Sequence, residues 1–190
     1  MQALQSYINS YFGVVDSNEL NAITSKFKPK SIKKGDFLLR TGEVCKELSF
    51  IQSGLIRIFV NEEEKEVTQW ISTPGYFVTD LSSFIMQDPA RFNIQALTDG
   101  EIYTITFKDY KSIGNNIPKW HELEKLFLMR CFAIIENRVY SHLSMNAEER
   151  YEFFFNQNKE LFNQVPLQYL ASMLGMTPET FSRIRKKQLK

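Results

Sequence analysis

The sequence predicts an α+β chain: an N-terminal antiparallel β-roll of jelly-roll type, one long helix, and a C-terminal helix-turn-helix. Three observations carry this. Between residues 30 and 107, short β-prone runs alternate with glycine, proline and Asp-Gly punctuation. Residues 119–144 hold neither Gly nor Pro and repeat apolar side chains at three- and four-residue spacing. Residues 167–185 read LQYLASMLGMTPETFSRIR, which is a helix, a glycine turn and a second helix.

Each element has its own warrant. Leu4, Ile8, Tyr11 and Phe12 share one helical face, and Leu20, Ile23 and Phe27 repeat it after a break at 13–16. The β-prone runs are 37–39, 48–51, 55–60, 67–71, 92–94 and 102–107, separated by turn residues at the spacing of an antiparallel sandwich. The acidic run 61–66 is expected to be an exposed hairpin loop. In the long helix, Trp120, Leu123, Phe127, Cys131 and Ile134 are the candidate dimer-helix residues. Leu126, Met129, Ala133 and Ile135 widen that stripe, so the helix needs two partners, its own roll and the same helix of a second subunit. A single core helix is the alternative. Arg130, Asn137 and Arg138 interrupt any strict heptad.

Composition sets the outer bounds. The chain has 190 residues, 43% hydrophobic and 24% charged, with 23 Lys plus Arg against 22 Asp plus Glu. That is ordinary for a globular chain of one domain or two small ones, and 16 Phe point to a well-filled core. No uncharged apolar run approaches the roughly 18 residues of a membrane helix. The N-terminus lacks the charged region and cleavage site of a secretory signal. Cys45 and Cys131 can build neither a disulfide scaffold nor a four-thiolate site, so a reduced, cytoplasmic protein is expected.

The C-terminal stretch carries the functional signal. Asn146 is a candidate N-cap for a helix over 148–156, and Gly175 supplies the positive φ that ends the helix from 167. Thr177 then caps a third helix, with Pro178 at its first position and Glu179 in its first turn. Leu170, Leu174, Met176, Phe181 and Ile184 form the expected buried side, and Ala171 is small where the helices approach. Glu179, Thr180, Ser182, Arg183 and Lys186 face outward. A helix of this kind can enter the major groove, with Arg pairing to guanine and Glu accepting from cytosine. Residues 183–190 hold five cations and no acid, and Arg185, Lys186, Lys187 and Lys190 suit phosphate. With Thr177 included, these make the candidate DNA-binding set. A structural helical hairpin with a solvated basic tail is the competing reading.

On these residues the chain resembles the Crp/Fnr transcription regulators over nearly its whole length. KKGDFLLRTG at 33–42 and LSFIQSGLIR at 48–57 look like their glycine-punctuated cyclic-nucleotide-binding β-roll, and 165–187 look like their DNA-reading element. Glu179, Ser182 and Arg183 are similar to the Glu-x-x-Ser-Arg pattern with which Fnr-like members read a half-site. The resemblance implies a bacterial-type homodimer that reads a palindromic operator with helix 178–187 and works with RNA polymerase. It also implies a sensor roll over 1–118, a dimer helix over 119–144 and a short DNA-binding domain over 145–190, without the usual winged hairpin after it. The implied effector pocket is Phe77, Thr79, Asp80, Leu81, Ser82, Arg91, Phe92 and Asn93. There the chain departs from the cyclic-AMP cassette. Thr79 replaces a glycine, Asp80 is one methylene shorter than the ribose-binding Glu, Arg91 falls one place late, and Phe92 replaces a small hydroxyl residue. These departures argue against cyclic AMP and leave the effector open, and two cysteines cannot hold an iron–sulfur cluster of the four-thiolate kind.

Other classes fit less well. A cupin-like metal enzyme needs His on its strands, and 30–107 contains none. No nucleophile motif and no Walker or dinucleotide loop occurs, so no enzyme is expected. His121 and His142 read as ordinary helix residues rather than haem ligands. Cys45 and Cys131 read as buried thiols, with redox sensing the alternative. The remaining rival is a ligand-sensing β-roll that acts through protein contacts without sequence-specific DNA binding.

Overall fold

The computed structural model describes residues 2–12, 16–63 and 65–188. The side chain of Tyr11, residues 13–15 of the expected break, Glu64 of the acidic run and Lys190 of the basic tail lie outside them. The chain divides into two compact units, 1–58 with 72–132 and 59–71 with 133–190.

The first unit opens with α1 (Gln2–Phe12) and α2 (Ser17–Thr24), the latter capped by Asp16, whose carboxylate accepts from the Asn18 and Glu19 amides at 2.9 and 3.0 Å. The strands are β1 (Lys28–Ile32), β2 (Phe37–Leu39), β3 (Glu47–Ser53), β4 (Ile56–Glu62), β5 (Lys65–Ser72), β6 (Phe77–Val78), β7 (Asn93–Ala96) and β8 (Gly100–Thr106). They form two four-stranded sheets in the orders β1-β8-β3-β6 and β2-β7-β4-β5. β8 runs antiparallel to both β1 and β3, as β2 does to β7. At the β3–β4 turn, Gly54 takes φ +91°, and a Cβ there would meet the Asp99 carbonyl at 2.9 Å. The backbones cross too closely for any other residue.

Two short helices follow from local capping. In α3 (Leu81–Met86), Asp80 accepts from the Ser83 amide at 3.1 Å. α4 (Phe107–Ile113) continues directly from β8 because Thr106 caps Asp109 at 3.1 Å. The core between and beneath the sheets is aliphatic at Leu48, Ile51, Ile56, Ile102 and Ile105 and aromatic toward the helices. Phe12 stacks on Phe127 at 4.8 Å and on Trp120 at 5.4 Å, and Phe77 meets Phe127 edge-on at 5.5 Å. These contacts account for the first half of α5 (Trp120–Ser144), where Trp120, Leu123 and Phe127 are buried.

The second unit holds the outer part of the β4–β5 hairpin, the rest of α5, and α6 (Ala147–Gln157), α7 (Leu161–Gln164), α8 (Leu167–Met173) and α9 (Pro178–Gln188). α6 begins with a reciprocal capping box: Asn146 accepts from the Glu149 amide at 3.1 Å, and Glu149 accepts from the Asn146 amide at 2.8 Å. Its core is aromatic. Phe162 stacks on Phe181 at 5.8 Å, and Tyr151 packs edge-on against both.

The structure revises three expectations. Strands β4 and β5 take up Asn61, Glu62, Lys65 and Glu66, four of the six residues of the expected loop. β1, β6, α3, α4 and α7 are additional elements. Met176, expected on the buried side of the helical pair, is only half-buried.

Candidate nucleic-acid interface and roll cavity

The α8–α9 pair is built around one turn. Gly175 takes φ +67°, its amide donates to the Ser172 carbonyl at 3.0 Å, and the Met176 amide donates to Ala171 at 2.9 Å. Two such bonds around a left-handed glycine form a Schellman closure, which ends α8 at a defined angle. Thr177 then accepts from the Thr180 amide at 3.2 Å and starts α9. Phe181 and Ile184 are buried, as are Leu170, Ala171 and Leu174 opposite them.

Facing away from that core, Thr177, Glu179, Ser182, Arg183, Lys186 and Lys187 are exposed, while Thr180 and Arg185 are half-exposed. Glu179, Ser182, Arg183 and Lys186 lie on one face at three- and four-residue spacing. Bonding at the start of α9, with its own amide and the Thr177 hydroxyl, holds the Glu179 carboxyl below the usual carboxylate range, so it is an acceptor at neutral pH. Lys187 is already engaged, donating to Glu148 of α6 at 2.8 Å, and Gln188 bonds Glu152.

Arginines from neighbouring helices hold the last carbonyls of α8. Arg138 of α5 donates to Met173 at 3.2 Å and to the Gln69 carbonyl of β5, with its guanidinium 5.6 Å from the Trp70 ring centre. Arg150 of α6 donates to Leu174 at 3.0 Å. Cations at a helix C-terminus satisfy orphan carbonyls and oppose the dipole. Ser172 adds a further tie, accepting from the Thr68 amide at 2.9 Å and donating to the Glu66 carbonyl at 3.4 Å. His142 bonds the Arg138 carbonyl at 2.9 Å, and its ring lies beside Gly175. Sequence reasoning read Arg138 only as a heptad breaker, because its partners lie on β5 and α8.

The candidate dimer-helix residues divide between two environments. Trp120, Leu123 and Phe127 pack on their own unit, so they are not free for a partner. Cys131 and Ile134 are half-buried, and burial pushes the Cys131 thiol up. The exposed apolar stripe is another set: Leu126, Met129 (68%), Phe132 (65%), Ile135, Val139, Tyr140 (67%) and Leu143 (83%). Side chains of that size left uncovered along one helix mark an interaction surface.

Inside the first unit a cavity of about 610 Å³ opens among β2, β3, β6 and β7. Its walls are apolar at Leu38, Leu39, Val44, Val78 and Ile94, with Cys45, Thr79 and Ser49 between them and Glu43, Lys46 and Glu47 also lining it. Of the eight expected pocket residues, only Thr79 lines this space. Phe77 belongs to the aromatic core, and Asn93 is buried, accepting from the Thr41 amide at 3.1 Å. Leu81 and Ser82 lie on α3, Ser82 exposed. Asp80 is buried, and its second oxygen accepts from the Arg91 and Phe92 amides at 3.1 and 3.4 Å. Ala90 faces inward while Arg91 is exposed, with its guanidinium 5.6 Å from the Phe92 ring centre.

Comparison with known proteins agrees with this architecture. Residues 29–116 match the cyclic nucleotide-binding domain family. No curated protein sequence matches the chain significantly. Among solved structures, the c-di-GMP responsive global regulator CLP of Xanthomonas campestris is similar with a TM-score of 0.67 at 15% identity, over 92% of each chain. The catabolite activator protein of Thermus thermophilus gives 0.57 at 22%, over 94% of this chain and 86% of that one. A CooA mutant from Carboxydothermus hydrogenoformans gives 0.62 at 18%, over 93% and 86%. At these identities the likeness defines the fold alone: a β-roll of the cyclic-nucleotide-binding type with helices C-terminal to it in sequence. Among the described residues, no helix is long and apolar enough to cross a membrane, and no group of three or more His, Cys, Asp or Glu could hold a metal.

Proposed function

We propose that the chain is a Crp/Fnr-like transcription regulator, a homodimer that reads a palindromic operator with α9. One observation carries this reading. Glu179, Ser182, Arg183 and Lys186 form an exposed row on a helix whose opposite face is buried and whose entry turn is closed by Gly175. A recognition helix needs a rigid seat and a polar reading face. The exposed stripe of α5 supplies the dimer surface, and two-fold pairing there presents two reading helices to half-sites about 34 Å apart. RNA polymerase is the partner such a regulator works with.

The test is fluorescence anisotropy with a palindromic Fnr-type duplex and a scrambled duplex, each at two salt concentrations. Wild type is expected to prefer the palindrome. Arg183→Ala is expected to lose about 10- to 100-fold on the palindrome, the range for one bidentate base contact, and little on the scrambled duplex. Equal, salt-sensitive binding of both duplexes by wild type, followed by no enriched sequence in selection from random DNA, would refute the reading.

A further inference from the structure

Three backbone amides around the α3–β7 connection are taken up by a carboxylate of the chain itself. The buried Asp80 carboxylate accepts from the amides of Arg91 and Phe92 and from that of Ser83. A phosphate brought there would displace this carboxylate and then lie against its uncompensated charge, which is costly in a buried site. Arg91, the nearest cation in sequence, is exposed. The charged residues lining the cavity next door are Glu43, Glu47 and a single lysine, Lys46.

Thr79, Ser49, Glu43 and Glu47, which line that cavity, have partners within the protein, and Lys46 is exposed. Thr79 donates to the Glu47 carbonyl at 3.0 Å and lies 3.2 Å from the Cys45 sulfur. Ser49 pairs with Thr104 at 2.8 Å, Glu43 accepts from the Arg40 amide at 3.0 Å, and Glu47 pairs with Lys30 at 3.3 Å. Beside these groups, the larger share of the surface open to a visitor is apolar, from Leu38, Leu39, Val44, Val78 and Ile94, in a volume of about 610 Å³. That volume lies inside the roughly 300–1,000 Å³ range of small-molecule pockets. We propose that the roll binds a small, uncharged, apolar molecule in this cavity and does not bind cyclic nucleotides. This does not rest on the DNA-reading proposal, and its test contains no DNA.

The test titrates the full chain with N-phenyl-1-naphthylamine, a neutral fluorophore, and challenges the complex with 1-decanol, cyclic AMP, cyclic GMP and cyclic di-GMP. Saturable fluorescence is expected, displaced by decanol and by none of the nucleotides. Val44→Phe, shown to be folded by circular dichroism, narrows the cavity and is expected to weaken the probe about tenfold, or about 1.4 kcal/mol. Leu38→Trp replaces it if that variant does not fold. A second readout reports from the cavity wall: in a Cys131→Ser background, decanol is expected to slow alkylation of Cys45. Nucleotide displacement of the probe, or calorimetric nucleotide binding, would overturn the proposal. So would probe binding unchanged in the folded variant with Cys45 unprotected, since the probe would then sit on the exposed stripe of α5.

Discussion

Replacing Arg138 by Ala tests whether the reading pair is held from outside itself. The substitution removes a charged donor from two carbonyls, Met173 of α8 and Gln69 of β5, and a cation from the Trp70 ring. Burial lowers the Arg138 pKa, yet a guanidinium stays charged at neutral pH. A charge-assisted hydrogen bond contributes about 1.5–3 kcal/mol and the ring contact about 0.5–1 kcal/mol. Water reaching the freed carbonyls offsets part of this, which leaves an expected loss of about 2–3 kcal/mol. The chain has two tryptophans, one in each unit, so Trp120→Phe leaves Trp70 as a reporter of the second. In that background, urea unfolding followed by Trp70 fluorescence is expected to shift its midpoint down by about 1–2 M. Arg138→Lys keeps the charge but cannot fork to both carbonyls, so it is expected to fall between wild type and Ala. A loss under about 0.5 kcal/mol for Ala, or full retention by Lys, would refute the reasoning.

Three other outcomes follow from the same geometry. Phe132→Glu places a charge in the exposed stripe of α5 and forfeits about 2–3 kcal/mol of apolar burial per subunit; sedimentation velocity is expected to show monomers at concentrations where wild type is dimeric. Glu148→Gln releases Lys187 for phosphate, so the slope of log affinity against log salt is expected to steepen by about 0.9 per subunit in anisotropy titrations. An unchanged slope would mean that Lys187 does not reach DNA. Gly175→Ala meets only ordinary contact with His142 at 3.5 Å, so its cost is the left-handed backbone alone. That is about 1–2 kcal/mol in the Trp70-reported transition, and Gly175→Asn is expected to cost less.

Legibility in the sequence followed how local each cause is. Asn146, Gly175, and Thr177 with Pro178 announce helix ends because a cap is made within four residues of chain. The strand runs were legible because glycine turns and apolar runs sit side by side in the sequence. β1 was missed because KPKSI buries only Ile32 and has no apolar alternation to read. β6 has only two residues, and α4 continues from β8 with no break between them. The cavity walls come from four separate strands and a loop, and no local pattern marks Leu38, Val44 and Ile94 as neighbours. The two sides of α5 could be counted in the sequence, but which side faces the roll is settled by Phe12 and Phe77, far away in the chain.

The second unit takes one of its pieces from the middle of the chain, with consequences for synthesis. The Thr68 amide and its acceptor Ser172 are 104 residues apart. At about 5–20 residues per second on the ribosome, the hairpin emerges roughly 5–20 s before the helix that covers it. Arg138 follows Gln69 by 69 residues, so for roughly the first 3–14 s the Gln69 carbonyl lacks this arginine, and until α8 is made the hairpin carries an open edge that invites other strands. The same arrangement means that a fragment starting at Ala133 lacks the strand that Arg138 and Ser172 grip, so it is not an autonomous domain in the sense its sequence length would imply.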